Sequence, residues 1–249
     1  MIWLIIGLGM CLGSFIHVAY CRFKPIYSGY EYLIAISFHR SRCPHCHKQL
    51  RFWQLFPVFS WLLLKGQCWA CKGKIHYRYI VFEILFAVIF AILFLTKGWT
   101  LNTILLMILA CYFVLLAMID LKYYLLPDLF TQPLLWLGIL AGYFNLFGIT
   151  LNKAITGIIW GYFLLIVPKE LFYLLTKKQG LGQGDVKLLA ALGAWISYED
   201  LPLLLVFSSF LAIVYYLILR YGLSDQSITV IPFGPFLLMS GYLILYYHV

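Results

Sequence analysis

Eight long apolar stretches run through this chain with almost no charge in them, at about 2–21, 79–96, 99–119, 129–147, 154–175, 186–198, 201–220 and 229–247. A bilayer crossing needs about 20 mostly apolar residues, because its hydrocarbon core offers no water to the backbone. The stretches are continuously apolar and do not alternate, so they predict helices and not the strands of a barrel. The sixth is the shortest and starts polar. The first is apolar from Ile2, has no basic start and is followed by no small-residue cleavage site, so it is expected to be a retained span. Of the 249 residues 64% are hydrophobic and 11% charged, against about half and about a quarter in a soluble domain. That leaves too little polar surface to cover a water-exposed core. A soluble globule, a disordered chain, a nucleic-acid-binding domain and a secreted disulfide scaffold are excluded. The expected fold class is an all-α polytopic membrane protein of about eight transmembrane helices with a small cytoplasmic loop domain.

The net charge is +9, and in a chain this apolar basic residues mark the cytoplasmic side. Ten of the eighteen Lys and Arg lie in 22–78. Counting onward through eight spans puts Lys122, Lys177, Lys178, Lys187 and Arg220 on the same side, with only Lys97 and Lys153 opposite. Fifteen against two orients the loop to the cytoplasm and both termini away from it. Three regions follow: a first span at 1–21, the cytoplasmic loop at 22–78, and a membrane core at 79–249. Within the loop, the apolar run from Phe52 to Leu64 is too short to cross and is interrupted by Pro57, which suits an interfacial or half-inserted element.

Seven cysteines are present, and Cys11, Cys21 and Cys111 in or beside spans read as small buried hydrophobes. The other four form two Cys-x-x-Cys knuckles, Cys43 with Cys46 and Cys68 with Cys71, separated by 21 residues. A two-residue gap lets both thiolates of a knuckle face one ion, and four soft ligands make a closed tetrahedral zinc site. Such a site has no open position for substrate, so zinc would staple the loop and not catalyse. Two disulfides, a redox pair or unligated thiols are the alternatives, and the cytoplasmic placement weighs against the first two. His45 and His47 could each replace a thiolate or simply be solvated.

Only nine acidic residues exist. Glu31, Glu199, Asp200 and Asp225 fall in loops, where solvation is the default. Glu83 and Glu170 lie inside spans, Glu170 beside Lys169, and charge there is costly enough to suggest a role in packing or substrate handling. Asp128 follows Pro127 and reads as a turn or N-cap residue. Asp120 closes the third span and Asp185 opens the sixth after Gly182-Gln183-Gly184, both at the cytoplasmic membrane edge. Two carboxylates brought together cannot both ionise comfortably, so one holds a proton while the other can deprotonate a water. That is the aspartic-protease arrangement. The flanking glycines let the backbone bend and approach closely, which suits an extended peptide. The plainer alternative is that the two aspartates cap helix ends.

The combination of motifs resembles the bacterial prepilin leader peptidases, the polytopic aspartic proteases of type IV pilus and type II secretion systems. It runs from Gly13-Ser14-Phe15 through the paired knuckles, Tyr77-Arg78-Tyr79 with Glu83, Ile119-Asp120-Leu121 and Leu126-Pro127-Asp128. It continues through Gly182-Gln183-Gly184-Asp185-Val186-Lys187-Leu188 and Ala190-Ala191-Leu192-Gly193-Ala194-Trp195 to Ile231-Pro232-Phe233-Gly234-Pro235-Phe236. The resemblance implies that Asp120 and Asp185 are the catalytic pair, supported by Gly182, Gly184 and Lys187. It implies a prepilin or pseudopilin substrate cut after its leader's terminal glycine on the cytoplasmic side of the inner membrane. Many members also methylate the new N-terminus with S-adenosylmethionine. The chain departs from the family at His17, at Arg22-Phe23-Lys24 and at Ile80, all in the part usually tied to methylation and zinc. No glycine-rich nucleotide loop marks a site for that cofactor, and no nucleic-acid partner is expected; the pilin served and the oligomeric state are not written in the sequence.

Two other classes compete. A transporter would use Lys169, Glu170 and Glu83 to line a path. A noncatalytic scaffold would use the zinc loop to dock cytoplasmic partners.

Overall fold

A computed structural model describes residues 1–38, 40–43, 45–178, 180–222 and 231–248; Asp225 and the first two residues of the last expected span lie outside them. The described residues form ten α-helices: α1 (Ile2–Arg22), α2 (Gly29–Ser37), α3 (Phe59–Leu63), α4 (Arg78–Lys97), α5 (Leu101–Tyr123), α6 (Asp128–Tyr143), α7 (Leu151–Thr176), α8 (Gln183–Gly193), α9 (Leu201–Leu217) and α10 (Gly234–His248). Among the described residues no strand is present beyond two isolated bridges in the loop, Arg42 to Gln49 and Gln67 to Lys74. Among the described residues five helical stretches are long and apolar enough to cross a membrane: α1, α4, α5, α7, and α9 together with the π-helical turn that carries it on to Tyr221. The other three expected spans fall on helices of 16, 11 and 15 residues, α6, α8 and α10. Eleven residues rise only about 16 Å, about half the hydrocarbon thickness. α8 stops there because the chain turns after Gly193 into Ala194 and Trp195, whose N–H groups return to the carbonyls of Ala191 and Leu192.

The chain divides into two compact units, Met1–Cys111 and Tyr112–Val249. In the first, α1 packs on α4 through two glycines one helical turn apart. A Cβ at Gly9 would stand 2.7 Å from the Phe86 carbonyl oxygen, and one at Gly13 would stand 2.5 Å from that of Phe82. Lipid chains are as apolar as leucine, so helices in a bilayer associate by such close backbone approach and not by hydrophobic burial. Between α1 and α4 lies the loop. Its helix α2 carries a capping box, with Glu31 N–H donating to Ser28 Oγ at 3.3 Å and Ser28 N–H to Glu31 Oε2 at 2.8 Å. Glu31 is therefore a cap and not a loose loop residue. The run from Phe52 to Leu64 breaks at Pro57 as expected, into a 3₁₀ turn and α3, and leaves Phe52, Phe56, Phe59 and Leu63 exposed. At the break Val58 takes φ 59°, a costly conformation for a β-branched residue. Its N–H donates to the buried carboxylate of Glu83 at 2.7 Å, which holds it there.

In the second unit α8 is the central helix. Val186, Leu188, Leu189, Ala191 and Leu192 are fully enclosed, and α6, α7 and α10 pack around it. The approach of α7 is close: a Cβ at Gly157 would fall 2.0 Å from the Gly193 oxygen, and one at Gly161 would fall 2.6 Å from that of Leu189. On the α6 side, the Trp195 indole N–H donates to the Leu134 carbonyl at 2.9 Å. Gly157→Val is expected to cost about 3 kcal/mol or more by overpacking, seen as an early thermal transition in detergent. Gly7→Ala, with nothing within 4 Å of the new Cβ, is expected to leave that transition unchanged or slightly raised.

Candidate functional site

Asp120 sits one turn before the end of α5. The helix runs past it to Tyr123 and closes where Tyr124 takes φ 54° and donates its N–H to the Asp120 carbonyl at 2.8 Å. The side chain is 4% exposed and its Oδ2 accepts the N–H of Gly234 at 3.1 Å. Gly234 opens α10, so the carboxylate meets the free amide and the positive dipole end of a helix. Only glycine fits there, because a Cβ would lie 2.5 Å from that oxygen.

Asp185 lies in the first turn of α8, 9% exposed, and its carboxylate accepts the N–H of the N-cap residue Gly182. One side chain packs against a glycine next to each acid: Gly184, which precedes Asp185, and Gly234, which bonds to Asp120. Leu126 is within 2.9 Å of where a Cβ on Gly184 would be and 3.2 Å of where one on Gly234 would be. Asp120 is also close enough for its charge to act on Asp185. The expected glycines are thus required for room and not for a bend: Gly182 has φ −69°, and Gly184 makes space for Leu126.

Lys187 does not turn toward the acids. Its Nζ holds both oxygens of Asp128 at 2.7 and 2.9 Å, tying α8 to the start of α6. Lys169 of α7 donates to the Gln183 side chain, and its distance to Glu170 is 3.8 Å. The pairing of Lys169 with Gln183 had no signal in the sequence, since the partners are fourteen residues apart on separate helices. Leu126 was visible only as part of Leu126-Pro127-Asp128. The start of α8 is therefore tethered from two neighbouring helices around a buried acidic pair.

In the first unit the four loop cysteines converge. All four sulfurs lie within 4.8 Å of one another, and Cys43 to Cys71 is 3.8 Å. Four thiolates about 2.3 Å from a tetrahedral ion stand about 3.8 Å apart, whereas a disulfide needs about 2.05 Å. The knuckles repeat one turn: His47 N–H returns to the Cys43 carbonyl and Lys72 N–H to that of Cys68, with φ 56° and 58°. The N–H groups of Cys71 and Ala70 point at Cys68 and hold its thiol down at about 6, while, against the Gly73 amide, burial and the other three sulfurs push that of Cys71 up to about 11, so the crowded thiols do not ionise together unaided. His45 stands outside the group of four converging ligands, its Nε2 facing the Lys74 carbonyl at 3.2 Å. Glu83 and His17 are also buried in this unit, the former bonded to Val58 and Ser14, the latter stacked on Tyr79 and Phe82.

A model of the bacterial peptidase A24 N-terminal domain matches residues 7–97, and a model of the type IV leader peptidase family matches residues 107–217. The chain is 39% identical over 205 residues to a prepilin leader peptidase/N-methyltransferase of Stutzerimonas stutzeri, covering 82% of this chain and 71% of that protein. The chain belongs to the type IV leader peptidase family. A relative from Escherichia coli O78:H11, a type 4 prepilin-like proteins leader peptide-processing enzyme, is 34% identical over 252 residues and matches 96% of this chain and 91% of its own length. A third, the prepilin leader peptidase/N-methyltransferase of Aeromonas hydrophila, is 40% identical over 214 residues, 83% of this chain and 71% of its own length. No solved structure matches. In this family member Gly234→Ala is expected to break the bond from Gly234 to Asp120 and leave a buried carboxylate short of a donor. The cost is about 1–3 kcal/mol, measured as a lower melting temperature than wild type in the same detergent.

Proposed function

We propose that this protein is a prepilin leader peptidase that cuts the leader from prepilins or pseudopilins, with Asp120 and Asp185 as its catalytic pair. The observation that supports the reading is that two buried carboxylates from separate helices stand within reach of each other's charge, in a chain whose relatives are named for this activity. Both carboxylates also serve the starts of α10 and α8, but capping alone does not call for a second acid within reach of the first one's charge.

In the peptidase reading the ionised member of the pair takes a proton from a water. That water attacks the carbonyl carbon of the peptide bond after the leader, while the protonated member donates a hydrogen bond to the carbonyl oxygen. The tetrahedral species collapses as a carboxyl group returns a proton to the leaving amine. The Gly234 and Gly182 amides hold the two side chains so that little reorganisation is needed. In this reading the site faces the cytoplasm, which the distribution of basic residues supports, and the enzyme works in the inner membrane, serving a type IV pilus or type II secretion assembly, with both termini periplasmic. The names of the relatives support N-methylation of the new amine as a second activity, with S-adenosylmethionine as donor.

The four-cysteine cluster holds structural zinc in this reading. The sulfur spacing and the lowered Cys68 thiol fit it, and the ion would relieve repulsion among crowded thiolates.

Purified protein incubated with a prepilin, followed by mass spectrometry of the mature N-terminus, reports the cut and any added methyl group together. Asp120→Asn and Asp185→Asn are each expected to slow cleavage at least about a thousandfold while the protein still inserts and folds. Retained cleavage in either variant rejects the pair. Cys68→Ser is expected to lower bound zinc from about one ion per chain toward none and to increase protease sensitivity of the loop; zinc-free wild type with an intact loop would refute the metal site.

A further inference from the structure

The apolar run from Phe52 to Leu64 has no task in the chemistry above, and the fold leaves its aromatic face uncovered. Phe52 and Phe56 pack edge to face with ring centres 5.7 Å apart, and Phe59, Leu62 and Leu63 line the outer side of α3. Phe52 is 81% exposed and Leu63 77%. The inner side of α3 is occupied: the Trp61 ring lies over Gly66, where a Cβ would stand 2.8 Å from it. A bond to a membrane helix sets the depth of this run. Val58 N–H donates to Glu83 at 2.7 Å, and Glu83 lies five residues past Arg78, the first of α4, which is about 7–8 Å along the axis. α4 is long and apolar enough to span, and Val81 and Ile84, on either side of Glu83, are exposed at the same level.

We infer that this run is a membrane anchor: its aromatic face sits among the phospholipid acyl chains of the leaflet on the loop's side, with Arg51 and Lys65 at anionic headgroups. The level fits, since interfacial elements bury their apolar side about 5–10 Å into the boundary between headgroups and acyl chains. The charge fits as well. Arg51 and Lys65 bracket the run, and 22–78 holds ten basic residues and one acid, Glu31, a balance that draws the segment to an anionic surface. A second copy or a partner protein would have to displace lipid at a depth where lipid already surrounds α4. Water is excluded by the same tether: Val58 cannot rise from the membrane without losing the Glu83 bond that holds its φ at 59°. The anchor also keeps the cysteine cluster close to the membrane surface, because Ile75 N–H returns to the Gly66 carbonyl at 2.7 Å and closes the second knuckle onto the end of α3. The inference does not depend on the peptidase reading.

The test uses the full-length protein in lipid nanodiscs of phosphatidylethanolamine and phosphatidylglycerol, which are open on both sides. Phe56→p-benzoylphenylalanine and Phe59→p-benzoylphenylalanine place a photoreactive ring on the anchoring face. Lys72→p-benzoylphenylalanine, exposed at the tip of the second knuckle, is the control. After irradiation, mass spectrometry is expected to find acyl-chain adducts at 56 and 59 and none at 72. Adducts to a second copy in place of lipid, no lipid adducts at all, or equal lipid labelling at 72 overturn the inference. An independent readout is trypsin cleavage at Arg51 and Lys65 in the same nanodiscs. Phe59→Glu is expected to speed it about tenfold by raising the population of the lifted loop, while Phe59→Trp leaves it near the wild-type rate. A cleavage rate unchanged by Phe59→Glu counts against the anchor. Replacing phosphatidylglycerol by phosphatidylcholine is expected to speed cleavage of the wild type about threefold; a rate indifferent to that exchange counts against the headgroup contacts of Arg51 and Lys65.

Discussion

Backbone contact between α7 and α8 is the constraint on which the second unit depends. α8 has eleven residues, too few to cross a bilayer by itself, so it cannot be placed by its own fit to the membrane. It is placed by what touches it. Gly157 and Gly161 of α7 approach the carbonyls of Gly193 and Leu189 so closely that no Cβ could intervene. At the other flank Trp195 reaches the Leu134 carbonyl of α6. Because hydrocarbon solvates apolar side chains as well as another helix does, these contacts and the hydrogen bonds between helices set the geometry. The position of Asp185 is a consequence of that packing.

The same physics explains how the acids are buried. A carboxylate in a low-dielectric setting must be hydrogen-bonded or neutralised. Asp120 is bonded to the first amide of α10 and Asp185 to the amide of Gly182, both at helix starts where the N–H groups are free and the dipole favours negative charge. The two solvent-facing polar links, Lys187 to Asp128 and Lys169 to Gln183, fix the direction of the α8 N-terminus more than its stability, since exposed ion pairs contribute about 1 kcal/mol at most. In the first unit Glu83 has a comparable task, holding a strained Val58 where the loop breaks.

Hydrophobic length was the legible part of this fold. α4 at Arg78–Lys97 and α7 at Leu151–Thr176 differ from the expected spans by only a few residues, because nothing but a helix can bury twenty apolar residues in succession. α8 was drawn too long toward its C-terminus because Ala194, Trp195 and Ile196 are as apolar as the helix before them; the turn there is set by packing on α6 and not by a breaker residue. Ser28 and Glu31 carry the capping signature of α2, but a nine-residue helix is too short to show as an apolar run of membrane length. The knuckle spacing marked the four converging cysteines, for local turns decide that cluster. Leu126, the Val58 link to Glu83 and the Lys169 link to Gln183 were not legible, being contacts between distant segments.

These differences bear on how the family's two parts use their membrane setting. The knuckles can be read from spacing because the four-cysteine cluster is assembled from two tight turns that repeat the same backbone hydrogen bond and positive φ, each set locally. The acidic pair cannot be assembled locally. It needs α5, α8 and α10 to end at one level, and the glycines at 184 and 234 are the points where an added methyl group would force neighbouring atoms apart. That makes Gly182-Gln183-Gly184-Asp185 a packing motif as much as a catalytic one. In the peptidase reading the aspartate supplies chemistry, while the glycines and Leu126 set the room in which a second carboxylate can stand near it.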